Sequence, residues 1–509
     1  VGTAREFRPL SLLGGDMKLV TNPYLSLRKF DPIKIEEGLR CLRPDNFRMT
    51  LISQKVPGTW KQKEKWYGTE YTYEKIPADF LAEIQQAAKS TLKNRLTELH
   101  LPQKNPFIPT KLEVKRKEIE KPALSPNLIR NNDLVRTWFK KDDQFWVPKA
   151  NLLVNCRNTL PNATAENSLK ARLYIDMVRD ALEEYSYDAE LTGLDYSVSA
   201  HSGGIEIAVS GYNHKLSVLL EKVLVTMRDI EIKEDRFKII KERVLRELEN
   251  WDFEEPYDQV ATFTSWLNSE KEYINEQFLA ELDHLTAADI QQFYPHLLRQ
   301  MHIETFVHGN FFKEDALKLS DLIESLLKPR PLPQTQLPIA RSLVFPPGSN
   351  FVYHKTLKDP KNVNHCIQYS LYIGDESIRP LRAKTLLLDQ MTHEAASDQL
   401  RTKEQLGYAV FSKARSTSTT IGYTITIQSE ETPKHLASRI DSFLSGWAET
   451  LENMSNEEFE SHKKSLITKR LAKLVNLDEE KDRLWWHIDS GGLDFELGKL
   501  NFTSCLHYD

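Results

Sequence analysis

One order of patterns runs twice through this chain, and that duplication limits the fold more than any single motif. In the first copy, Leu169, Leu173, Met177, Ala181, Leu182 and Tyr185 recur at helical spacing. Tyr196, Val198 and Ala200 then alternate, Ser202-Gly203-Gly204 makes a turn, and Ile205, Ile207 and Val209 alternate again. Spacings of three and four mark one face of a helix, while alternation marks a strand with one buried side. Two more helices are expected through Leu216–Met227 and Phe237–Leu248. The second copy repeats the order. A helical run from Arg382 to Leu400 leads to a strand through Tyr408 and Val410, a polar turn at Arg415–Thr420, and a strand alternating Tyr423, Ile425 and Ile427. Helices follow through Leu436–Trp447 and Phe459–Leu471. Matching Tyr196 to Tyr408 and Phe237 to Phe459 gives a period far too long for a solenoid, so these are duplicated domains. The expected fold class is α+β, with tandem homologous domains, each a largely antiparallel sheet with helices packed on one face.

Two proline-rich intervals separate the pieces. Pro102, Pro106, Pro109, Pro122 and Pro126 fall in one, and Pro329, Pro331, Pro333, Pro338, Pro346 and Pro347 in the other. Proline fixes φ and pushes the preceding residue out of the helical region, so both read as connectors. Before the first connector, Phe47, Met49, Leu51 and Ile52 suggest a short strand, and residues 79–99 suggest a helix. Another helix is expected over Pro23–Leu42. A first residue of Val1 suggests a fragment or processed product.

The 509 residues are 40% hydrophobic and 28% charged, which suits a folded chain with several cores. A net charge of -5 offers no global field for nucleic acid or anionic lipid. No apolar run reaches the roughly 18 residues of a membrane-spanning helix, and no signal peptide is evident. The four cysteines, Cys41, Cys156, Cys366 and Cys505, form no CxxC pair, which fits a reducing compartment.

None of the fourteen histidines stands four residues from another, so no helix offers a two-histidine metal face, and neither HExxH nor HxxEH occurs. His302, Glu304 and His308 lie close together, but on an alternating strand-like run that ends in His308-Gly309-Asn310, where a structural role is the simpler reading. GxSxG, Walker and GxGxxG motifs are absent. One segment stands out: Leu400-Arg401-Thr402-Lys403-Glu404-Gln405-Leu406-Gly407-Tyr408, joining a helix to a strand. Arg401 could hold a peptide carbonyl with its fork of donors, and the Tyr408 hydroxyl could donate to an oxyanion. On the residues alone the simpler reading is that Arg401 and Glu404 pair at the helix end while Tyr408 packs as a strand aromatic.

With the Ile427-Gln428-Ser429-Glu430 run, this segment resembles the C-terminal half of insulysin-like, pitrilysin-family zinc metallopeptidases. Leu42 through Phe47, Trp66 through Thr69, Trp138 through Asp143, Pro148 through Ala150, Tyr187 through Leu194, Val209 through Asn213 and His308 through Asn310 are similar to the same family in the same order, as far as about Phe495. The resemblance implies that residues 1–75 end a second domain, 76–105 join the halves, 106–334 form the third domain and 335–509 a fourth, truncated one. It implies a zinc metalloendopeptidase that degrades peptides in a closed chamber, with zinc held by an HxxEH helix outside this chain and no metal ligand within it. Arg401 and Tyr408 would bind substrate, with Tyr408 steadying the oxyanion. The expected partners are peptide substrates and an N-terminal catalytic half, without nucleic acid or membrane. A homo-oligomer is compatible, and the location expected is cytoplasmic, with the mitochondrion as second choice. Alone, the chain is expected to be inactive; a noncatalytic binding or scaffold member of the fold is the alternative. Two departures stand out: Leu471-Ala472-Lys473-Leu474-Val475 replaces a basic stretch of relatives, and Leu500–Asp509 does not follow the family.

Overall fold

The computed structural model describes residues 31–53, 55, 60–91, 104–116, 121–417 and 419–495. Cys505 and Leu500–Asp509 lie outside them, as do Pro102, residues 23–30 of the first expected helix and residues 92–99 of the second. The chain divides into two units, Val1–Lys104 and Asn105–Asp509.

In the first unit, α1 (Pro32–Leu39) starts where Asp31 accepts the Ile33 and Lys34 amides and Pro32 presets φ. A short hairpin, β1 (Gln62–Lys63) with β2 (Glu70–Tyr71), precedes α2 (Ala78–Ala88). The strand expected at Phe47–Ile52 does not form. That segment has no ladder partner among the described residues, and Ile52 is 90% exposed. Apolar residues alone do not make a strand when no partner edge is offered.

The second unit begins with β3 (Asn127–Asn131), β4 (Val135–Lys141) and β5 (Lys149–Arg157). The first repeat then follows as α3 (Ala165–Glu190), the hairpin β6 (Leu194–His201) and β7 (Gly204–Tyr212), α4 (Asn213–Asp229) and α5 (Glu234–Asn250). Next come α6 (Pro256–Asn268), α7 (Asn275–Leu282), α8 (Ala287–Arg299), β8 (Gln300–Gly309), α9 (Lys313–Leu327) and β9 (Arg330–Pro331). The strands form one sheet in the order β3-β4-β8-β5-β7-β6, with β9 beside β8; β4 and β9 run parallel to β8, and the other pairs are antiparallel. Helices bury one face of it through Leu173, Val178, Leu220, Val223, Ile240 and Ile290, packed against Leu152, Val154, Ile207 and Val307.

The second repeat is β10 (His365–Asp375), α10 (Arg379–Ala396), β11 (Ala409–Ser416), β12 (Thr420–Ser429), α11 (Pro433–Glu452) and α12 (Asn456–Arg470). Its sheet is β10-β12-β11, fully antiparallel, with a core of Leu400, Tyr423, Ile425, Ile427, Leu436 and Ile440. The duplication is therefore real, but the match of Tyr196 to Tyr408 is displaced. Tyr196 lies opposite Val209 and Val410 lies opposite Ile427 in the corresponding ladder, so the counterpart of Tyr196 is Val410, two residues further on. A shared tether fixes this register: Arg179 of α3 donates to the Val198 carbonyl, and His393 of α10 donates to the Ser412 carbonyl.

A last helix, α13 (Leu477–Asp489), departs from the one-faced expectation. It lies on the opposite face of the first repeat's sheet, where Leu484, Trp485 and Ile488 pack on Trp138, Leu153 and Phe306. Among the described residues, no helix is long and apolar enough to cross a membrane.

Candidate functional site

Helix α10 ends in a seven-residue π-helical stretch, Ser397–Lys403. The Glu404 amide reaches back to the Gln399 carbonyl (3.0 Å) and the Leu406 amide to the Leu400 carbonyl (3.1 Å). Wider turns of this kind re-aim side chains that a regular helix would send elsewhere. Leu400 and Leu406 are buried in the repeat's core and act as the two anchors of the loop. Between them Gln405 takes φ 53°, a left-handed conformation unusual for a residue with a Cβ.

Glu404 is the central fastening. Its carboxylate accepts Arg439 Nε (2.7 Å) and Nη2 (2.8 Å) from α11, and Gln399 Nε2 (2.7 Å). The Arg439 guanidinium holds the Glu404 carboxyl below its ordinary range. The i,i+3 pairing of Arg401 with Glu404 therefore does not occur. Gly407 closes the loop against β12: a Cβ there would lie 2.0 Å from the Gln428 carbonyl oxygen, so only glycine permits the approach. Gln428 also reaches the other way. Its side chain accepts the Tyr257 amide (3.1 Å) and donates to Glu255 (2.7 Å) at the start of α6, while Tyr257 meets Phe411 edge-on at 5.6 Å.

On this support stand Arg401 and Tyr408, brought together as a pair. The Arg401 guanidinium carbon lies 4.7 Å from the Tyr408 ring centroid, a cation–π contact. Tyr408 is 88% exposed, so it is not a packed strand aromatic. Among the described residues, no carboxylate pairs with Arg401 and no side chain hydrogen-bonds the Tyr408 hydroxyl. The arrangement presents a rigid fork of donors and a phenolic O–H, side by side, to whatever approaches: a site suited to carbonyl oxygens or a developing oxyanion.

His302, Glu304 and His308 do not gather into a metal site. Glu304 is fully buried and accepts Arg136 Nε (2.9 Å) and Nη2 (2.6 Å) and Trp138 Nε1 (2.5 Å). Burial favours its neutral form, but His302 and Arg136 overcome this and hold its carboxyl below the usual range. His308 faces Glu480 of α13 at 3.0 Å, and Glu480 also meets Lys140 Nζ at 3.1 Å, which in turn donates to Asp143 at 2.7 Å. Neighbouring Asp142 accepts the amides of Gln144, Phe145 and Val147, and Asn310 accepts the Lys115 amide. These motif residues are a structural knot between sheet and helix. Sequence reading missed Glu480, Arg439 and Gln428 as partners, because nothing local marks contacts that span so much of the chain.

A cavity of about 1920 Å3 lies elsewhere in the second unit, along α3 and the 334–342 segment, and neither Arg401 nor Tyr408 lines it. Its α3 wall is occupied by its own ion pairs, Arg172 with Glu247 and Arg179 with Asp176. Among the described residues, no group of three or more His, Cys, Asp or Glu side chains could hold a metal ion. Since Glu304 and His308 are engaged with Arg136, Trp138 and Glu480, the described residues do not fit a catalytic zinc.

Residues 16–281, more than half of the chain, match the profile for the middle or third domain of peptidase M16. The chain belongs to the M16 peptidase family. Residues 387–485 also match domain 4 of the C-terminal lobe of PqqF-like PQQ synthase. The chain is similar to the A-factor-processing enzyme of Saccharomyces cerevisiae (35% identity over 92% of this chain and 45% of that protein) and to the insulin-degrading enzyme of Homo sapiens (34% identity over 94% and 46%). It thus spans about half the length of the curated relatives it matches. The crystal structure of pitrilysin superposes on 94% of this M16 chain and 50% of its own length with a TM-score of 0.79 at 22% identity, a likeness of fold.

Proposed function

We propose that this chain provides the substrate-gripping half of an M16 zinc endopeptidase that degrades peptides in a closed chamber. In this reading residues 1–75 end a second domain, 76–105 join the halves, 106–334 are the third domain and 335–509 belong to the fourth. An N-terminal half would carry the zinc and the water-activating base. Arg401 holds a peptide carbonyl near the scissile bond, and Tyr408 donates its phenolic proton in a hydrogen bond to the oxygen on which charge develops. Such a donor accelerates the reaction to the extent that it is already aimed before charge appears. The cytoplasm is the first location to test and the mitochondrion the second.

The single observation that carries this is the exposed Arg401–Tyr408 pair mounted on the Glu404–Arg439 fastening. The relatives named as processing and degrading enzymes support the substrate class. The test is reconstitution of the chain with an M16 catalytic half and zinc, followed by steady-state cleavage of a fluorogenic peptide. Tyr408→Phe is expected to lower kcat by about 100-fold with a smaller change in KM. An unchanged kcat would remove Tyr408 from the chemistry. Chelator-sensitive cleavage by this chain alone would refute the assignment of hydrolysis to the other half, and a reconstituted complex that binds peptide without cleaving it would favour a scaffold role.

A further inference from the structure

The direction of the exposed Tyr408 side chain is set by the main chain that carries it, and both neighbours of Tyr408 bear on one residue. On one side Gly407 presses so closely on the Gln428 carbonyl that no Cβ fits. On the other, Ala409 faces Gln428 in the ladder between β11 and β12. The Ser412 carbonyl and the Ala414 amide turn to His393 and Asp389 of α10, so the odd-numbered residues of β11 are the ones bonded to β12, and Ala409 shares main-chain bonds with Gln428. A displacement of Gln428 therefore carries the backbone on both sides of Tyr408 with it.

The Gln428 side chain is committed to a helix distant in the chain. Tyr423, Ile425 and Ile427 of β12 and Val410 of β11 face the helical core, and alternation places Gln428 and Phe411 on the other face, against the start of α6. Glu255 stands at the N-cap of α6, and Pro256, the first helical residue, has no N–H. The Asp258 and Gln259 amides turn back to the Glu255 carbonyl. The Tyr257 amide is left over from the first turn, and it goes to Gln428 (3.1 Å). Gln428 Nε2 in return donates to Glu255 (2.7 Å). Gln428 thus caps α6 from outside, while Tyr257 packs edge-on against Phe411.

The far end of α6 is tied to the far end of the same hairpin. The Leu343 amide donates to the Asn268 carbonyl (2.8 Å), and neighbouring Ser342 donates to Thr417 (2.6 Å) in the turn between β11 and β12. A 13-residue helix is about 20 Å long and an eight-residue strand about 26 Å, so α6 spans most of the hairpin that begins beside Tyr408.

We propose that Gln428 is a positioning residue through which α6 sets the direction of the Tyr408 side chain. In the domain division proposed above, α6 belongs to the third domain and Tyr408 to the fourth, so the aim of the phenol depends on the contact between them. The consequence for turnover rests on the role given to Tyr408 above; the consequence for its orientation does not.

Two readouts separate these consequences. The whole chain is labelled with fluorotyrosine, and the Tyr408 and Tyr423 fluorine resonances are assigned by their loss in Tyr408→Phe and Tyr423→Phe. Gln428→Met cuts both side-chain bonds without adding charge. It is expected to move the Tyr408 resonance while Tyr423, in the core of β12, keeps its place. In the enzyme reconstituted with an M16 catalytic half and zinc, Gln428→Met is expected to lower kcat about tenfold with a smaller change in KM. In the Tyr408→Phe background it is expected to have no further effect, because its route is gone. Exchanging the partners, Gln428→Glu with Glu255→Gln, rebuilds an acceptor for the Tyr257 amide and a donor for the residue at 428, and is expected to return both readouts to parent values. The proposal falls if Gln428→Met leaves the Tyr408 resonance in place, if Tyr423 moves with it, or if the exchange fails to restore the resonance. It falls equally if Gln428→Met lowers kcat as much in the Tyr408→Phe background. A Tyr408→Phe enzyme with parent kcat would instead overturn the role of Tyr408 in the chemistry, and the fluorine resonances alone would then decide whether Gln428 aims it.

Discussion

Lys140→Met puts a number on the knot that ties α13 to the sheet. Lys140 is 2% exposed, and its ammonium is shared by Asp143 (2.7 Å) and Glu480 (3.1 Å), the latter fully buried. Methionine matches the stem but removes the cation, leaving two buried carboxylates with His308 and Gln144 as the polar company of Glu480. Removing one partner of a buried ion pair costs about 3–5 kcal/mol. The sign of the pH dependence identifies the cause. In the parent chain burial pushes Glu480 up, but His308 and Lys140 prevail and hold it below its ordinary 4.5. A depressed carboxyl contributes stability that is present above 4.5 and lost as pH falls through the folded value. Without Lys140 the cluster instead takes up a proton, so its folded state gains on mild acidification. The destabilisation of Lys140→Met relative to parent should therefore shrink between pH 7 and pH 5.5. Urea denaturation at both pH values, read by tryptophan fluorescence from Trp138 and Trp485 in the same interface, measures it. Adding Glu480→Gln should recover part of the loss. A deficit under about 1 kcal/mol at pH 7, or one that grows at pH 5.5, would show that the ion pair does not hold the helix.

Two further perturbations address the loop. Gly407→Ala drives a methyl group to 2.0 Å from the Gln428 carbonyl and must move Tyr408 or β12; a loss of about 3 kcal/mol in a thermal melt, with faster exchange of the Leu406 amide, is expected, and a parent-like melt would mean the strand yields freely. Glu404→Ala removes the acceptor of Arg439 and Gln399, so exchange at the Glu404 and Leu406 amides should rise at least tenfold while β12 is unaffected; equal rates would leave the fastening to Leu400 and Leu406 alone.

How much of this was legible in the sequence depends on the range of the forces involved. The periodic stretches of both repeats became the expected elements because burial of a helix face or strand side is written in local spacing: Leu216 through Met227 is α4, and Tyr423, Ile425 and Ile427 line one side of β12. Aligning the repeats by residue type failed by two positions. Tyr408 shares only a ring with Tyr196, whereas the ladder aligns Tyr196 with Val410, and a solvent-facing aromatic obeys no core constraint. The same freedom makes Tyr408 chemically interesting, since a residue relieved of packing is available to a ligand. Arg401 and Glu404 were close enough in sequence to pair on a regular helix, but the π-helical stretch changes the angle between them and hands Glu404 to Arg439. Nor could α13 be placed on the far face of the first sheet, because Glu480 meets Lys140 and His308 only through contacts that span the whole of the second repeat. Spacing along the chain thus carried the scaffold. The fastenings that aim Arg401 and Tyr408 come from tertiary contacts, and no period announces those.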